Sequence, residues 1–307
     1  ALSLKIIGIK DKKEIDKKST STLITEPLND GTTVEDALNL DDAALKLRYS
    51  IRHASVSDFD VTIRRMRNIE EESGGKIPAV ICYAKDDNES ILLGKKIQNA
   101  LQDGSYHLIF IDATRTPFGQ DGYNQYRDEM AQSMYQTGKD NGLANQYARN
   151  AKESLKKWKE RLSEGEFLIF TEEKPAGERA TSKKFLEDIL REIDHKKFPD
   201  CLEAEYNVLP TMYTPSSLKL GVECGVNRKT RQMFSSGNVQ TKLETALKDA
   251  WEDPRYWETH PNLLISKIKR TVDNEIQKEF KEAGRVSIRD IYDLLKEYPY
   301  GFMPCNL

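Results

Sequence analysis

The chain has 307 residues, 38% hydrophobic and 32% charged, with 47 basic against 50 acidic side chains and a net charge of −3. That length holds two domains with separate cores, and the mix is that of a globular protein with many exposed helix faces. The near balance of charge excludes a global electrostatic pull toward nucleic acid or membrane and leaves only local basic patches to consider.

In chain order, Leu2 to Ile9 is a strand-like run. From Ala44 to Arg52, Leu45, Leu47, Tyr49 and Ile51 alternate with Lys46, Arg48, Ser50 and Arg52, a period of two that predicts a half-buried strand. Ser57 with Asp60 reads as a capping box opening a helix whose apolar stripe is Phe59, Ile63, Met66 and Ile69, stopped by Gly74-Gly75. Ile77 to Ala84 is a continuous apolar run, the mark of a strand covered on both faces. A helix over 88–101 follows, with Ile91, Leu92, Ile97 and Leu101 expected on its buried side. After Asp103-Gly104, His107 to Ala113 is a second buried run. Strand, helix and strand within about forty residues make a βαβ unit, hence a parallel pair and a right-handed crossover.

Helices are predicted over 121–139 and 143–163, the second with Leu143, Tyr147, Ala151, Leu155, Trp158 and Leu162 on one face. Glu166 to Thr171 reads as a further strand, and Ser182 caps a helix carrying Phe185, Leu186, Ile189, Leu190 and Ile193. Past Pro199 the character changes, with turn formers, Pro210 and Pro215, then helices at 240–250, 262–282 and 287–298. The expected fold is α/β: a three-layer, βαβ-based parallel sheet over residues 1–200, then a mainly helical domain over 201–307.

Ligands of open α/β sheets bind beyond the carboxyl ends of the strands. Asp86, Asp87 and Asp112 stand there, near Arg115, and as a cluster they could hold a divalent cation or a phosphate. The competing reading is that Asp86 and Asp87 cap a helix and Asp112 accepts a turn hydrogen bond. The turn after Ile77–Ala84 is Lys-Asp-Asp-Asn-Glu-Ser, with neither G-x-G-x-x-G nor G-x-x-x-x-G-K-[ST] there or elsewhere. Its acidic residues would repel a phosphate that needs close backbone approach. No catalytic motif and no cofactor is therefore expected.

His53, His107, His195 and His260 lack metal-ligand spacing, and Cys82, Cys201, Cys224 and Cys305 lack a C-x-x-C pair. The cysteines read as reduced thiols of a cytoplasmic protein, with no metal site expected. No apolar run approaches the roughly 18 residues of a membrane helix, so no membrane partner is expected. Two basic clusters stand out. One is Arg48, Arg52, Arg64, Arg65 and Arg67, the other Lys219, Arg228, Lys229 and Arg231. The second is less neutralised and is the candidate nucleic-acid contact.

The chain closes on an apolar turn, Pro299-Tyr300-Gly301-Phe302-Met303-Pro304-Cys305-Asn306-Leu307, which reads as the entrance to another element. We therefore expect a piece of a longer polypeptide. Helix 262–282, the turn Ala283-Gly284-Arg285 and helix 287–298, then Pro-Tyr-Gly-Phe, resemble the front of a winged-helix or helix-turn-helix unit. The turn at 299–307 is expected to fold back on helix 262–282 or to pack on a second copy of the chain.

The charged strand Leu45–Arg52, the buried runs Ile77–Ala84 and His107–Ala113, and the stretch Asp290 to Phe302 ending in Pro-Tyr-Gly-Phe carry a family resemblance. Together the pattern resembles the region following the motor domain of large bacterial P-loop ATPases of BREX-type phage-defence systems. The family's Walker motifs have no counterpart, so no catalytic or nucleotide-binding residue carries over. The resemblance implies a non-catalytic structural or interaction segment of a larger bacterial multidomain ATPase. Its partners would be the remainder of the polypeptide, with DNA or a second copy of the chain as further ones. The rival readings are a metal-dependent α/β hydrolase or nuclease-like domain built on Asp86, Asp87 and Asp112, and a DNA-binding module.

Overall fold

A computed structural model describes residues 11–72, 76–103, 108–201 and 264–302. The run Leu2–Ile9, Gly74-Gly75, His107, the region 202–263 with the helix expected at 240–250, and residues 303–307 lie outside the described residues. Chain contacts group the molecule into two units. One holds Ala1–Asp41, Tyr49–Glu72 and Ile77–Ile189, the other Asp42–Arg48, Ser73–Lys76 and Leu190–Leu307.

Among the described residues the helices include α1 (Thr20–Ile24), α2 (Ala43–Arg48), α3 (Phe59–Glu72), α4 (Asp87–Gln102), α5 (Gln120–Gln136), α6 (Asn141–Ser163), α7 (Lys183–Lys197), α8 (Leu264–Ala283) and α9 (Ile288–Lys296), with a 3-10 helix at Glu35–Leu38. The strands are β1 (Tyr49–Ala54), β2 (Ile77–Cys82), β3 (Ile109–Asp112), β4 (Phe167–Phe170) and β5 (Glu178–Ala180). They form one sheet in the order β1-β2-β3-β4-β5. β1, β2 and β3 are parallel, while β4 and β5 are each antiparallel to their predecessor.

The fold is thus α/β on a mixed sheet, and the expectation of a parallel sheet holds only for its first three strands. The reason is the connection. One crossover helix returns the chain to the edge it started from, so the next strand is parallel. Two helices, α5 and α6, follow β3, and they leave the chain at the edge it had reached. β4 must then run the other way. The apolar run Phe167–Phe170 gives no sign of direction. β5 escaped the sequence pattern because it is three residues, Glu-Arg-Ala, without alternation. It is reached through Gly177, at φ +84°, where a Cβ would come within 2.8 Å of the Phe170 ring.

β2 is buried along its whole length, as its sequence predicts. Phe59, Ile63 and Met66 of α3 and Leu93 and Ile97 of α4 pack on Val80, Cys82, Phe110 and Phe170. Residues of the other strand parity meet aromatic rings instead. Tyr83 lies edge-on to Trp158, and Trp158 stacks on Phe118 with centroids 5.0 Å apart.

Three local expectations are corrected. Residues 43–48 are helical rather than extended, because the Asp42 carboxylate accepts from Ala44 N at 2.7 Å and Leu45 N at 3.2 Å. That cap, with helix formers Ala, Leu, Lys and Arg behind it, outweighs the alternation. The cap of α3 is Ser55 rather than Ser57. Ser55 O accepts from Phe59 N, and Ser55 N and Oγ both donate to Asp58 at 2.7 and 3.0 Å. On α4, Ile91 is 59% and Leu92 48% exposed, and Leu93 holds the buried position instead. A run of three apolar residues, Ile91-Leu92-Leu93, leaves the phase of the helix undecided.

The second unit is built around a buried cation. Arg48 is 1% exposed. Its Nε lies 2.8 Å from Asp194 Oδ1, and its terminal nitrogens donate to Gly301 O at 2.7 Å and Cys201 Sγ at 3.1 Å. Its guanidinium sits 4.7 Å from the Phe198 ring centroid. Gly301, at φ +60°, passes so close to Phe198 that a Cβ would meet the ring at 2.3 Å. The turn at 299–302 does fold back on the helix before it: Tyr300 and Phe302 cluster with Ile268 and Leu295, and Tyr300 OH lies 2.6 Å from Thr271 Oγ1.

Two expected outcomes test this packing. Ile109→Asp places a carboxylate at a strand position 3% exposed, between β2 and the rest of the sheet. Its thermal transition should be lost or lowered by well over ten degrees in circular dichroism, and an unchanged midpoint would contradict the burial. Arg48→Ala should destabilise by about 2–4 kcal/mol in urea unfolding, because it leaves the half-buried Asp194 and the Gly301 carbonyl without the guanidinium and opens a cavity beside Phe198. The double variant Arg48→Met, Asp194→Leu should recover most of that loss. A single variant within about 1 kcal/mol of the parent would remove Arg48 from the centre of this unit.

Candidate functional site

In a sheet of this kind the place to look is the carboxyl edge of β1, β2 and β3. Here that edge is covered by the chain's own residues 15–28. Ile15, Thr20, Leu23, Ile24 and Leu28 are all buried. Ser19 caps α1, its side chain accepting from Thr22 N. Ser21 Oγ lies 2.7 Å from Ser55 Oγ, just past β1. Thr20 Oγ1 donates to Glu89 Oε2 at 2.6 Å, and the same oxygen accepts from Lys85 N, three residues past β2. Lys18 Nζ reaches Glu26 at 2.9 Å and Tyr126 OH at 2.8 Å, and Tyr126 donates to Glu26 at 2.6 Å. Tyr123 OH donates to Asp16 at 3.0 Å. The loops after β1 and β2 are therefore tied to residues 16–26 directly or through one side chain, and α5 is tied to them through Tyr123 and Tyr126.

The three expected carboxylates occupy different posts. Asp86 is the cap of α4 and accepts from Glu89 N at 3.0 Å. Asp87 stands exposed in the first turn of that helix, where a negative charge suits the helix dipole. Asp112 is 7% exposed and accepts from Thr114 N at 2.9 Å. Ser90 Oγ, within 3.1 Å of both Asp86 O and Thr114 O, ties the two loops together. Among the described residues, no group of three or more His, Cys, Asp or Glu side chains is placed to hold a metal ion.

Burial sets the electrostatics of the edge. It pushes the Asp112 carboxyl above its ordinary value, against the opposing pull of the Thr114 hydrogen bonds and of Arg115. Burial likewise raises the Cys82 thiol and the Tyr123 and Tyr126 phenols, keeping them protonated. His53 bonds Tyr83 OH through Nδ1 at 2.9 Å, and desolvation lowers it to about 4, so it is neutral near pH 7.

The basic clusters separate. Arg48 belongs to the interior of the second unit, not to a basic face, because Asp194 and two backbone-proximal acceptors draw it in. Arg52, Arg64 and Arg65 are exposed. The side chain of Arg67, and all of Lys219, Arg228, Lys229 and Arg231, lie outside the described residues. His195 is exposed in the last turn of α7.

The sequence held a sign of one missed residue. Ser55-x-x-Asp58 is itself a capping-box pattern, competing with Ser57-x-x-Asp60 two residues on. Nothing local marked Thr20, Ser21, Lys18 or Glu26: Lys18 and Glu26 pair across 8 residues, and their other partners and those of Thr20 and Ser21 are 34 to 108 residues away.

The raised Asp112 carboxyl predicts a pH dependence. The folded state holds this proton to higher pH than the unfolded state does. Stability from this group is therefore complete below the ordinary carboxylate value and is lost as pH rises through the raised one. Asp112→Asn keeps an oxygen for Thr114 N and removes the titration. The stability of the parent relative to this variant should fall as pH rises across that window, read from urea midpoints at a series of pH values. Parallel profiles, or the opposite slope, would refute the assignment.

No helix among the described residues is long and apolar enough to cross a membrane. Comparison of the chain with protein-family models, with curated proteins and with solved structures finds no match in any of the three.

Proposed function

We propose that this chain is a non-catalytic structural and interaction segment of a larger bacterial multidomain ATPase of the phage-defence kind it resembles. Its role is to connect and position partners for a motor carried elsewhere in the polypeptide, in the cytoplasm. The observation that carries the reading is the covered edge. Where a sheet of this class receives its ligand, residues 15–28 of the same chain are seated, with Leu23 and Ile24 at 0% and 1% exposure. Burying four such apolar side chains, Ile15, Leu23, Ile24 and Leu28, contributes roughly 1.5–3 kcal/mol each, so the cover is part of the core. The rival hydrolase or nuclease-like reading needs its carboxylates turned toward a cation. Asp86 and Asp112 are instead engaged by backbone N–H groups.

The test is calorimetric titration of the 307-residue chain with Mg-ATP. The expected result is no saturable heat. Saturable micromolar binding would overturn this reading and favour an enzyme. A nuclease assay with Mg²⁺ or Mn²⁺ giving cleavage that Asp112→Asn abolishes would do the same.

A further inference from the structure

The sheet ends laterally at β1 and at β5. β5 is three residues long, and its charged side chains are matched at home, Arg179 by Glu166 and Glu178 by Lys174. β1 is six residues long and pairs with β2 without a break from Tyr49 to Ala54. It carries neither a proline nor a bulge, two of the devices by which natural sheets close an edge. Register fixes which of its backbone groups are left over. Ala54 O accepts from Tyr83 N, one residue past its register partner Cys82. Backbone groups of alternate residues turn to opposite sides of a strand, so Ser50, Arg52 and Ala54 face β2 and Tyr49, Ile51 and His53 face outward. The same alternation makes Ala79, Ile81 and Tyr83 the donors of β2, so Pro78, opposite Ser50, costs the ladder nothing.

The outward N–H and C=O groups of Ile51 and His53 have no hydrogen-bond partner among the described residues. They are two donors and two acceptors repeating about every 6.6 Å along one line. That spacing matches one kind of occupant, an extended backbone, which can pair with all four at once. Arg52, between them, supplies the sign of charge. It is exposed and forms no ion pair among the described residues. On a neighbouring strand a carboxylate beside it would be a favourable cross-strand pair, and a cation an unfavourable one. A second copy of β1 would set its own Arg52 on the same short ladder, like charge beside like charge, so the charge favours a different chain.

We propose that the lateral edge of β1 takes an extended segment of a partner protein as a further strand, bonded through the backbone of Ile51 and His53 and carrying a carboxylate beside Arg52. This gives the interaction role proposed above its partner chemistry, and rests on that reading only for the premise that the chain binds partners. The contact is small, so it is a weak and exchangeable one.

The probe is a short peptide of alternating valine and threonine with one central glutamate, titrated into the isotope-labelled 307-residue chain and followed by amide resonances and amide exchange in NMR. One control has lysine in place of the glutamate, and a second is N-methylated throughout. In the free chain the Ile51 and His53 amides should exchange fast. The glutamate peptide should bind saturably and slow both of them, the N-methylated peptide should not bind, and the lysine peptide should bind more weakly. Arg52→Glu should weaken the glutamate peptide and strengthen the lysine peptide, each about fivefold. Arg52 is exposed and unpaired, so unchanged thermal melting should accompany that reversal. Absence of saturable binding, equal binding of the N-methylated peptide, or binding indifferent to Arg52→Glu would overturn the proposal. Slow exchange of both amides in the free monomer would do so too, since the chain's own residues would then cover the edge. So would slow exchange that accompanies a dimer in sedimentation, since a second copy would then be the occupant. Failure here with Mg-ATP still unbound would sink this inference alone, whereas ATP binding would sink the functional reading alone.

Discussion

Three parallel strands laid side by side in chain order constrain almost everything else in the first unit. Each crossover is right-handed, so both crossover helices must lie on the same face of the sheet. No reversal of strand order occurs among β1, β2 and β3. The crevice that a reversal opens, where open α/β sheets place their ligands, is therefore missing from this arrangement. The tips of the strands still carry polar backbone that needs partners. Neighbouring loops answer that need, with Tyr83 N on Ala54 O, Ala113 N on Cys82 O and Phe118 N on Ala84 O, while residues 15–28 bring hydroxyls to the Ser55 and Glu89 side chains and bury their own apolar ones. The covered edge and the crowded helix face are two results of one topology.

The same constraint explains the polar chemistry at the edge. A carboxylate left at the end of a buried strand must find donors or keep its proton. Asp86 finds Glu89 N, Glu89 finds Thr20 and Lys85 N, and Asp58 finds Ser55. Asp112, the most enclosed of them, finds Thr114 N and holds its proton more tightly as well. Acidic residues that looked like a cation site are thus satisfied one by one, each by its own loop. The second unit solves the opposite problem, an interior cation, by surrounding Arg48 with a carboxylate, a carbonyl, a thiol and an aromatic ring.

Sequence alone determined a good part of this protein. Continuous apolar runs at Ile77–Cys82 and Ile109–Asp112 admit only buried strands, and their spacing admits only a parallel pair, which is how they are found. The single-faced stripe through Ala151, Leu155, Trp158 and Leu162 gave a helix, because a 3.6-residue period leaves no other reading. The apolar turn after α9 had to find cover, and Tyr300 and Phe302 found it on Ile268. These are local or short-range matters of period and burial. Tertiary structure decided the rest. The direction of β4 depends on a two-helix connection, and a four-residue apolar run reads the same in either direction. Residues 43–48 alternate like a strand, yet a cap at Asp42 and the interior demand for Arg48 make them a helix. Ile91 and Leu92 face outward because only one phase of α4 places Leu93 and Ile97 on the sheet. The seating of residues 15–28 turned on Thr20, Ser21 and Lys18, which bond Glu89, Ser55 and Tyr126 from far along the chain. A hydrogen bond across 69 residues leaves no mark on the local pattern of either partner, so only the folded chain could say that the edge was filled.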